Sequence, residues 1–300
     1  MNEYCKIHLP GESSVYGIYH NTRVKRYPDG SADILCASKQ VFRMPGYEER
    51  GARQKPTVRR SEGVTGDADN LLRAKRRARA EVRDLALCNP MRWFVTLTLD
   101  KEKIDRYDEK VIVQKMGQWA DNHVRRDGLK YILVPEHHGD GAIHFHGFFN
   151  DALKVIDSGT MTAPGWKKPR RPKSVAEREK WAADGARPVY NLPAWTYGFT
   201  TAIEVYGDYH AAVGYVCKYI AKEGDKIGGR WYYHGGRMEH PEVEYLDSDF
   251  RQVASTSGAA TFETDTLDGI EFALVRVDAG GCGKEGEQCG KSEKILHGGV

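Results

Sequence analysis

Aromatic and β-branched residues are concentrated in four short stretches of the chain. The first, Trp93–Leu99, has the sequence WFVTLTL, and the others cover Tyr131–Val134, Ala142–Phe149 and Gly198–Val205. Such residues favour an extended backbone, and turn-forming residues lie close to most ends of these stretches. The pattern therefore predicts four β-strands.

Three longer segments have apolar residues at the three- and four-residue spacing of an amphipathic helix. They cover residues 71–87, ending before Pro90, then residues 108–126, and finally a segment from Asp208 to Glu223. Asp208 is a suitable N-cap, and proline is a common helix terminator. The order strand, helix, two strands, insertion, strand, helix predicts an α+β fold with a central antiparallel sheet and flanking helices.

Sequence character divides the chain into three regions. Residues 1–68 are interpreted as an N-terminal region and a polar linker, and they stay unassigned. Residues 69–235 hold all the strong patterns and are predicted to form the main domain. It has an insertion at about 157–188, with a short helix over 174–183. Residues 236–300 are acidic and glycine-rich, and they are predicted to be partly disordered.

Charge is unevenly distributed, although the formal net charge is only +3. Residues 51–92 hold 11 Lys and Arg against 5 Asp and Glu, a net +6, and residues 151–190 hold 9 against 5, a net +4. Residues 236–300 reverse the balance with 6 basic and 13 acidic residues, a net −7. This asymmetry is typical of a polyanion-binding body with an acidic tail, but solvated helix faces would produce the same counts.

The sequence also argues against several classes of protein. No apolar run approaches the roughly 18 to 20 residues that a membrane-spanning helix needs. The N-terminus has no basic segment followed by an apolar one, so secretion is not expected. The 6 cysteines are scattered over 300 residues and do not form a disulfide framework, so we expect a reducing cytosol.

Two histidines lie in the third predicted strand. His144 and His146 are two residues apart, so both imidazoles project from the same face of the sheet. Glu136 follows the preceding strand and can supply a carboxylate. Such a set leaves coordination positions open, which suits a catalytic metal ion. The identity of the third ligand stays open, because His137 and His138 lie next to Glu136. The alternative is a purely structural role for His144 and His146. We expect the site to face solvent.

The last predicted helix contains the sequence YVCKYIAK. Tyr215, Tyr219 and Lys222 share one stripe beside its apolar face, with Lys218 slightly off it. The phenols lie one turn apart, roughly 6 Å along the axis at ~1.5 Å per residue, so a phosphate is expected to be in line with only one at a time. A nearby ammonium favours the phenolate, which makes either tyrosine a candidate nucleophile, although tyrosines at this spacing are usually packing residues.

The two clusters together predict phosphodiester chemistry. Attack of a phenol on a phosphate that a metal polarises would form a 5′-phosphotyrosyl link and release a 3′-hydroxyl. The link retains the energy of the phosphodiester, so the strand can be rejoined. Two adjacent phenols permit two such transfers in succession.

Three motifs occur in the order found in one known family. They are FVTLTLD at Phe94–Asp100, HFHGFF at His144–Phe149 and YVCKYIAK at Tyr215–Lys222. Over roughly residues 70–225 the chain resembles the HUH-endonuclease replication initiators of bacteriophages and rolling-circle plasmids, which include the filamentous-phage gene II proteins. Its two-tyrosine motif is similar to that of the gene A-type phage initiators.

The resemblance implies a ferredoxin-like HUH palm over residues 69–235 and a Mg²⁺ or Mn²⁺ ion. It implies a replication initiator that nicks one strand at an origin, leaves a 3′-hydroxyl primer for rolling-circle replication and later rejoins the strand. The implied partners are single-stranded DNA at the origin and a host helicase and polymerase, in the cytoplasm of a bacterial host and without a membrane. The implied metal ligands are His144, His146 and Glu136, and the implied catalytic residues are Tyr219, Tyr215, Lys222 and Lys218.

Basic residues in the first predicted helix and in the insertion are candidate phosphate contacts that would not read DNA sequence. An exposed structural helix is an equally good interpretation of the first cluster. The candidates are Arg73, Lys75, Arg76, Arg77 and Arg79 in the helix, and Lys167, Lys168, Arg170 and Arg171 in the insertion.

Two alternative functions stay open at this point. Mobilisation relaxases and single-strand transposases use the same chemistry. Relaxases tend to place the nucleophile before the histidines, and such transposases are much shorter, which favours an initiator. A non-catalytic module that binds single-stranded nucleic acid would display exposed aromatic residues on its strands and would not need the histidines and tyrosines to converge.

Overall fold

The computed structural model describes residues 19–43, 67–263 and 269–278. The predicted linker up to residue 66 and the tail after residue 278 lie outside the described residues. The helices are α1 Asp67–Cys88, α2 Glu109–Asp127, α3 Val175–Ala183, α4 Tyr209–Lys222 and α5 Phe250–Ala254. The strands are β1 Tyr19–His20, β2 Thr22–Arg26, β3 Ala32–Ala37, β4 Phe42–Arg43, β5 Trp93–Leu99, β6 Tyr131–His137, β7 Ile143–Phe149, β8 Ile156–Thr162, β9 Arg187–Asn191, β10 Gly198–Glu204, β11 Tyr233–Gly235, β12 Glu242–Leu246, β13 Ala260–Glu263 and β14 Glu271–Val277.

The chain forms two compact units. Among the described residues, one unit consists of residues 19–43, 240–263 and 269–278, and the other of residues 67–239. None of the helices in the described part of the chain is long and apolar enough to cross a membrane.

The first unit contains a five-stranded antiparallel sheet in the order β12-β2-β3-β14-β13. Helix α5 packs on one face, where Val253 joins Val24 and Ile34 in the core. Strand β2 pairs with β12, so that Val24 lies opposite Glu244. The N-terminal and C-terminal regions of the sequence therefore contribute strands to one sheet, a pairing that no local pattern indicates.

The second unit contains a seven-stranded antiparallel sheet in the order β11-β6-β7-β5-β10-β9-β8. Helix α1 packs against α4, which lies over β6 and β7. Helix α2 contributes Ile112, Met116 and Trp119 to the core on the other face. The predicted α+β class, a large antiparallel sheet with flanking helices, is confirmed.

Strand β7 is buried along its whole length because it lies between β6 and β5 with cover on both faces. Phe145 points into the α2 core, and the alternation of a strand directs His144 and His146 to the opposite face. Glycine is required at position 147, because a Cβ on Gly147 would lie 1.9 Å from the carbonyl oxygen of Ile132. The strand can therefore pass β6 closely only with glycine at this position.

The predicted strands all form, but the insertion contains more structure than its sequence indicates. Its predicted helix forms as α3 with Ser174 as N-cap. The same segment also supplies β8 and β9, which extend the sheet beyond β10. These strands were missed because β8 has Asp157, Ser158 and Gly159 near its start, where a strand normally alternates apolar and polar residues.

Candidate active site

His144 and His146 lie on the face of the sheet that α4 covers. Only 6% and 5% of their surfaces, respectively, are exposed. The ring of Tyr219 lies flat against that of His146, with the centroids 4.2 Å apart. The prediction that the pair faces solvent is therefore wrong, because a strand alone does not reveal which of its faces a later helix will cover.

Each imidazole is held by the threonine directly across from it in β5. Thr96 Oγ1 lies 3.1 Å from Nδ1 of His146, and Thr98 Oγ1 lies 3.4 Å from Nδ1 of His144. The antiparallel register makes both pairs direct cross-strand neighbours. A hydroxyl can donate or accept, so each threonine orients its ring in either tautomer and leaves Nε2 as the remaining nitrogen.

Glu136 reaches the same site from β6. One carboxylate oxygen, Oε2, lies 3.1 Å from Nε2 of His146, and the other, Oε1, lies 3.4 Å from Nζ of Lys222. Burial opposes ionisation of Glu136, but the hydrogen bond from His146 and the charge of Lys222 outweigh it and lower the pKa of the carboxyl. The carboxylate is therefore charged at neutral pH.

His144 is neutral at physiological pH. Burial lowers its pKa to about 4, and the nearby rings of His138 and His146 contribute to the shift. The His138 ring stacks on that of His144 with the centroids 5.0 Å apart. A neutral imidazole is the form that binds a metal ion.

The donors present match a divalent ion in kind, since they comprise two imidazole nitrogens and one carboxylate. Of the two other candidate third ligands, His137 bonds Glu223 through its backbone N–H at 2.8 Å and its ring at 3.0 Å, and the ring of His138 bonds Asp140 at 3.2 Å. Among the residues that the structure describes, no group of three or more His, Cys, Asp or Glu side chains is already arranged to hold a metal ion. The metal site therefore stays a prediction, and filling it would require side-chain movement.

The two tyrosines of α4 converge on one point. The Tyr219 hydroxyl donates a hydrogen bond to the Tyr215 hydroxyl at 2.9 Å, and the Tyr215 ring contacts Phe94 edge-on. Tyr219 is 7% exposed, as its position beside the apolar face of the helix predicts. The predicted separation of roughly 6 Å applies to the backbone positions along the helix axis. The phenol oxygens are closer than this, because the two side chains bend toward each other.

Tyr219 lacks the lowered pKa that a neighbouring lysine suggests. Burial raises the pKa of its phenol well above the usual value, and the hydrogen bond to Tyr215 raises it further. Lys222 places Nζ 5.0 Å from the centre of the Tyr219 ring and contacts Glu136, so its charge is directed at the ring and the carboxylate. Lys218 is exposed. For Tyr219 the prediction of a ready phenolate is therefore wrong, and this phenol is a hydroxyl donor.

The C-terminal end of α4 is fastened to β6 by a contact that the sequence did not indicate. Glu223 caps the helix and accepts both hydrogen bonds from His137. Its side chain is only 11% exposed. Together with the Lys222–Glu136 ion pair, this contact fixes the height of both tyrosines above the histidines. In the sequence, the only signal of this contact is that Lys222 and Glu223 are adjacent at the end of the helix and that Glu136 and His137 are adjacent at the end of the strand. The distance between the two pairs along the chain follows no regular spacing.

The candidate DNA-binding residues fall into two groups with different surroundings. In α1, Lys75 donates to the carbonyl oxygen of Ala221 at 3.3 Å and lies over the ring of Trp231, so it fastens α1 to the end of α4. Arg73 is half-buried. The other members of both clusters are exposed, namely Arg76, Arg77, Arg79, Lys167, Lys168, Arg170 and Arg171.

Residues 92–224 match the model of a family of replication-associated proteins, described as the ORF2 and gene II protein type. The match supports a replication initiator. It extends from the start of β5 to the end of α4 and includes the histidine pair, Glu136 and both tyrosines. Proteins of this description act in DNA replication, which in general implies binding to DNA at an origin and a nuclease activity. No curated protein and no solved structure matches the chain.

Proposed function

We propose that the protein nicks one strand of DNA at a replication origin and joins itself to the new end through a tyrosine. The observation that carries this proposal is the convergence of two phenol oxygens, 2.9 Å apart, beside a buried pair of histidines and a charged glutamate. A module that only binds nucleic acid has no need of this convergence.

In the proposed step, the phenol oxygen attacks the scissile phosphorus and the bond from phosphorus to the 3′ oxygen breaks. The products are a 5′-phosphotyrosyl link and a 3′-hydroxyl, which takes up a proton and primes rolling-circle synthesis. A Mg²⁺ or Mn²⁺ ion held by His144, His146 and Glu136 would polarise the phosphate. Unwinding and synthesis fall to a host helicase and polymerase.

Tyr219 is the proposed first nucleophile, since its stack on His146 holds it rigidly. Because burial raises its pKa, its proton has to leave as the new bond forms. The Tyr215 oxygen accepts that hydrogen bond, and Tyr215 is partly exposed, so it can pass its own proton to solvent as it takes the new one.

The closeness of the two phenols also supports a second transfer. Once Tyr219 carries the 5′ end, the Tyr215 oxygen lies next to the same phosphate position. It can then attack the phosphodiester of the regenerated origin, which frees a new 3′-hydroxyl. This 3′-hydroxyl attacks the first link, rejoins the strand and releases Tyr219 as a phenol. Lys222 would keep Glu136 charged throughout both transfers. Lys218, exposed one turn earlier in the helix, would contact the incoming DNA strand.

The deciding experiment uses single-stranded oligonucleotides tiled across the replicon that carries the gene, each incubated with Mn²⁺ and run on a denaturing gel. A 3′ label should move with the protein, whereas a 5′ label should appear on a shortened strand that a polymerase can extend. Tyr219→Phe should lose the adduct, while Tyr215→Phe should still form it, but more slowly because Tyr219 loses the acceptor of its proton.

Two results would count against these assignments. An adduct that survives in the Tyr219 variant but not in the Tyr215 variant would reverse the order of the two nucleophiles. An adduct in the double variant, or no adduct from the wild-type protein with any oligonucleotide, would remove the tyrosine mechanism.

A further inference from the structure

Phe199 is an exposed aromatic residue near the start of β10, one of the interior strands of the seven-stranded sheet. It lies in β10, between β5 and β9, yet 67% of its surface is exposed. Thr201 and Ile203, which follow on the same face, are partly exposed. Helix α4 packs chiefly on β6 and β7, so this part of the face lies beside the helix.

The ring belongs to a cross-strand row that runs through the candidate active site. In the register of the sheet, Glu136 lies opposite His144, His144 opposite Thr98, and Thr98 opposite Phe199. Residues in such a row project from the same face. Two strand spacings of ~4.8 Å place Phe199 about 10 Å from His144. The ring is therefore a close neighbour of the position proposed for the scissile phosphate.

The backbone next to Phe199 is held tightly to β5. The Trp195 indole N–H donates to the carbonyl oxygen of Thr98 at 3.2 Å. Gly198 approaches so closely that a Cβ there would lie 2.1 Å from the same oxygen. A ring that faces water from a firmly held backbone is suited to act as a stacking platform for nucleobases, because the backbone loses little conformational entropy on binding.

The same unit also carries a charge that complements a phosphate backbone. Beyond β10 the sheet continues through β9 and β8, and residues 163–174 after β8 contain five basic residues and no acidic one. The backbone N–H and carbonyl of Arg170 bond those of Met161, which pins this loop to the sheet. The basic residues are Lys167, Lys168, Arg170, Arg171 and Lys173.

We propose that Phe199 stacks on a nucleobase of single-stranded DNA close to the phosphate that is cut. The ring would fix the position of the strand along the row of Thr98, His144 and Glu136, and thereby select which phosphate meets the tyrosines. The assignment deepens the proposed nicking function and rests on it for the place of the cut. The stacking itself is a binding event that can be measured without any reaction.

The test measures binding of short fluorescent single strands by anisotropy in EDTA, where no cleavage can occur. Phe199→Ala should weaken binding about 5- to 150-fold, the range that base–aromatic stacking gives on alanine substitution. Phe199→Trp should retain the affinity, and Phe199→Leu should lose most of it although the strand keeps an apolar residue. The matched control is Phe262→Ala, since Phe262 is an exposed phenylalanine of β13 (43%) and should leave binding unchanged.

An abasic scan locates the partner base. Removing one particular base should weaken wild-type binding as much as Phe199→Ala does, and should have no further effect in that variant. The stacking would be overturned if Phe199→Ala binds single strands as tightly as the wild type. It would also be overturned if removal of each base weakens binding equally in both proteins. A third contrary result would be a sedimentation experiment in which Phe199→Ala alters only self-association. If the wild type binds single strands through Phe199 but forms no adduct, the nicking function is overturned and the stacking role of Phe199 is retained.

Discussion

The ring of Tyr219 lies parallel to the imidazole of His146, with 4.2 Å between the centroids and 2° between the planes. The stack joins the candidate nucleophile on α4 to a candidate metal ligand on β7. His146 in turn holds Thr96 and Glu136, so the contact links three strands and a helix. A change at His146 should therefore affect stability as well as chemistry.

Replacement of His146 by alanine should remove both the adduct and part of the stability. The variant loses the stack on Tyr219, the partner of Thr96 and one of the two partners of Glu136, so we expect a loss of about 2–4 kcal/mol in the free energy of unfolding. Urea denaturation measures the loss. His240→Ala, at an exposed position, should change stability by no more than about 0.5 kcal/mol. Unaltered nicking by His146→Ala would remove the metal assignment.

Replacement of Glu223 by alanine should loosen the end of α4 without touching a metal donor. Two hydrogen bonds from His137 are lost, and we expect about 1–3 kcal/mol less stability. Amide hydrogen exchange should speed up in α4, and adduct formation should slow while the affinity for Mn²⁺ stays the same. Glu223→Gln, which keeps an acceptor, should show a smaller effect. Exchange in α4 at the wild-type rate would show that the contact does not position the helix.

Replacement of Gly147 by alanine should be severely destabilising. The added Cβ would meet the carbonyl oxygen of Ile132 at 1.9 Å, and a backbone atom in a central strand cannot move aside. The matched control is Gly117→Ala in α2, where no atom outside the neighbouring residues and the local helix backbone lies within 4 Å of the added Cβ. Alanine should stabilise this helix by up to about 1 kcal/mol. Thermal unfolding compares the two, and a Gly147 variant as stable as the wild type would contradict the register of β6 and β7.

Neutralising Arg76, Arg77 and Arg79 together should weaken binding to single-stranded DNA and lower its salt dependence. Each lost phosphate contact should reduce the slope of log K against log salt by ~0.7. Lys75→Ala should instead lower stability, because Lys75 bonds Ala221 and covers Trp231. A triple variant with the wild-type salt slope would identify these arginines as a solvated helix face.

Local patterns in the sequence determined most of the secondary structure and the chemistry of the site. The aromatic and β-branched composition of Trp93–Leu99 and Ile143–Phe149, and the helical spacing around Tyr215 and Tyr219, are properties of neighbours within a few residues. One strand period is enough to place His144 and His146 on one face. The same spacing places Tyr219 nearer the apolar side of its helix, as the structure has it.

Only the tertiary structure decided which residues of different elements lie opposite each other. The register of β5 on β7 pairs Thr96 and Thr98 with the histidines, and the position of α4 buries those histidines and raises the pKa of Tyr219. Strand pairing between Val24 and Glu244 joins the two ends of the chain into one sheet. Such contacts join residues far apart in the chain, and their free energy comes from burial and hydrogen bonds that form only once the elements pack. A periodicity seen within one element contains no information about its partner.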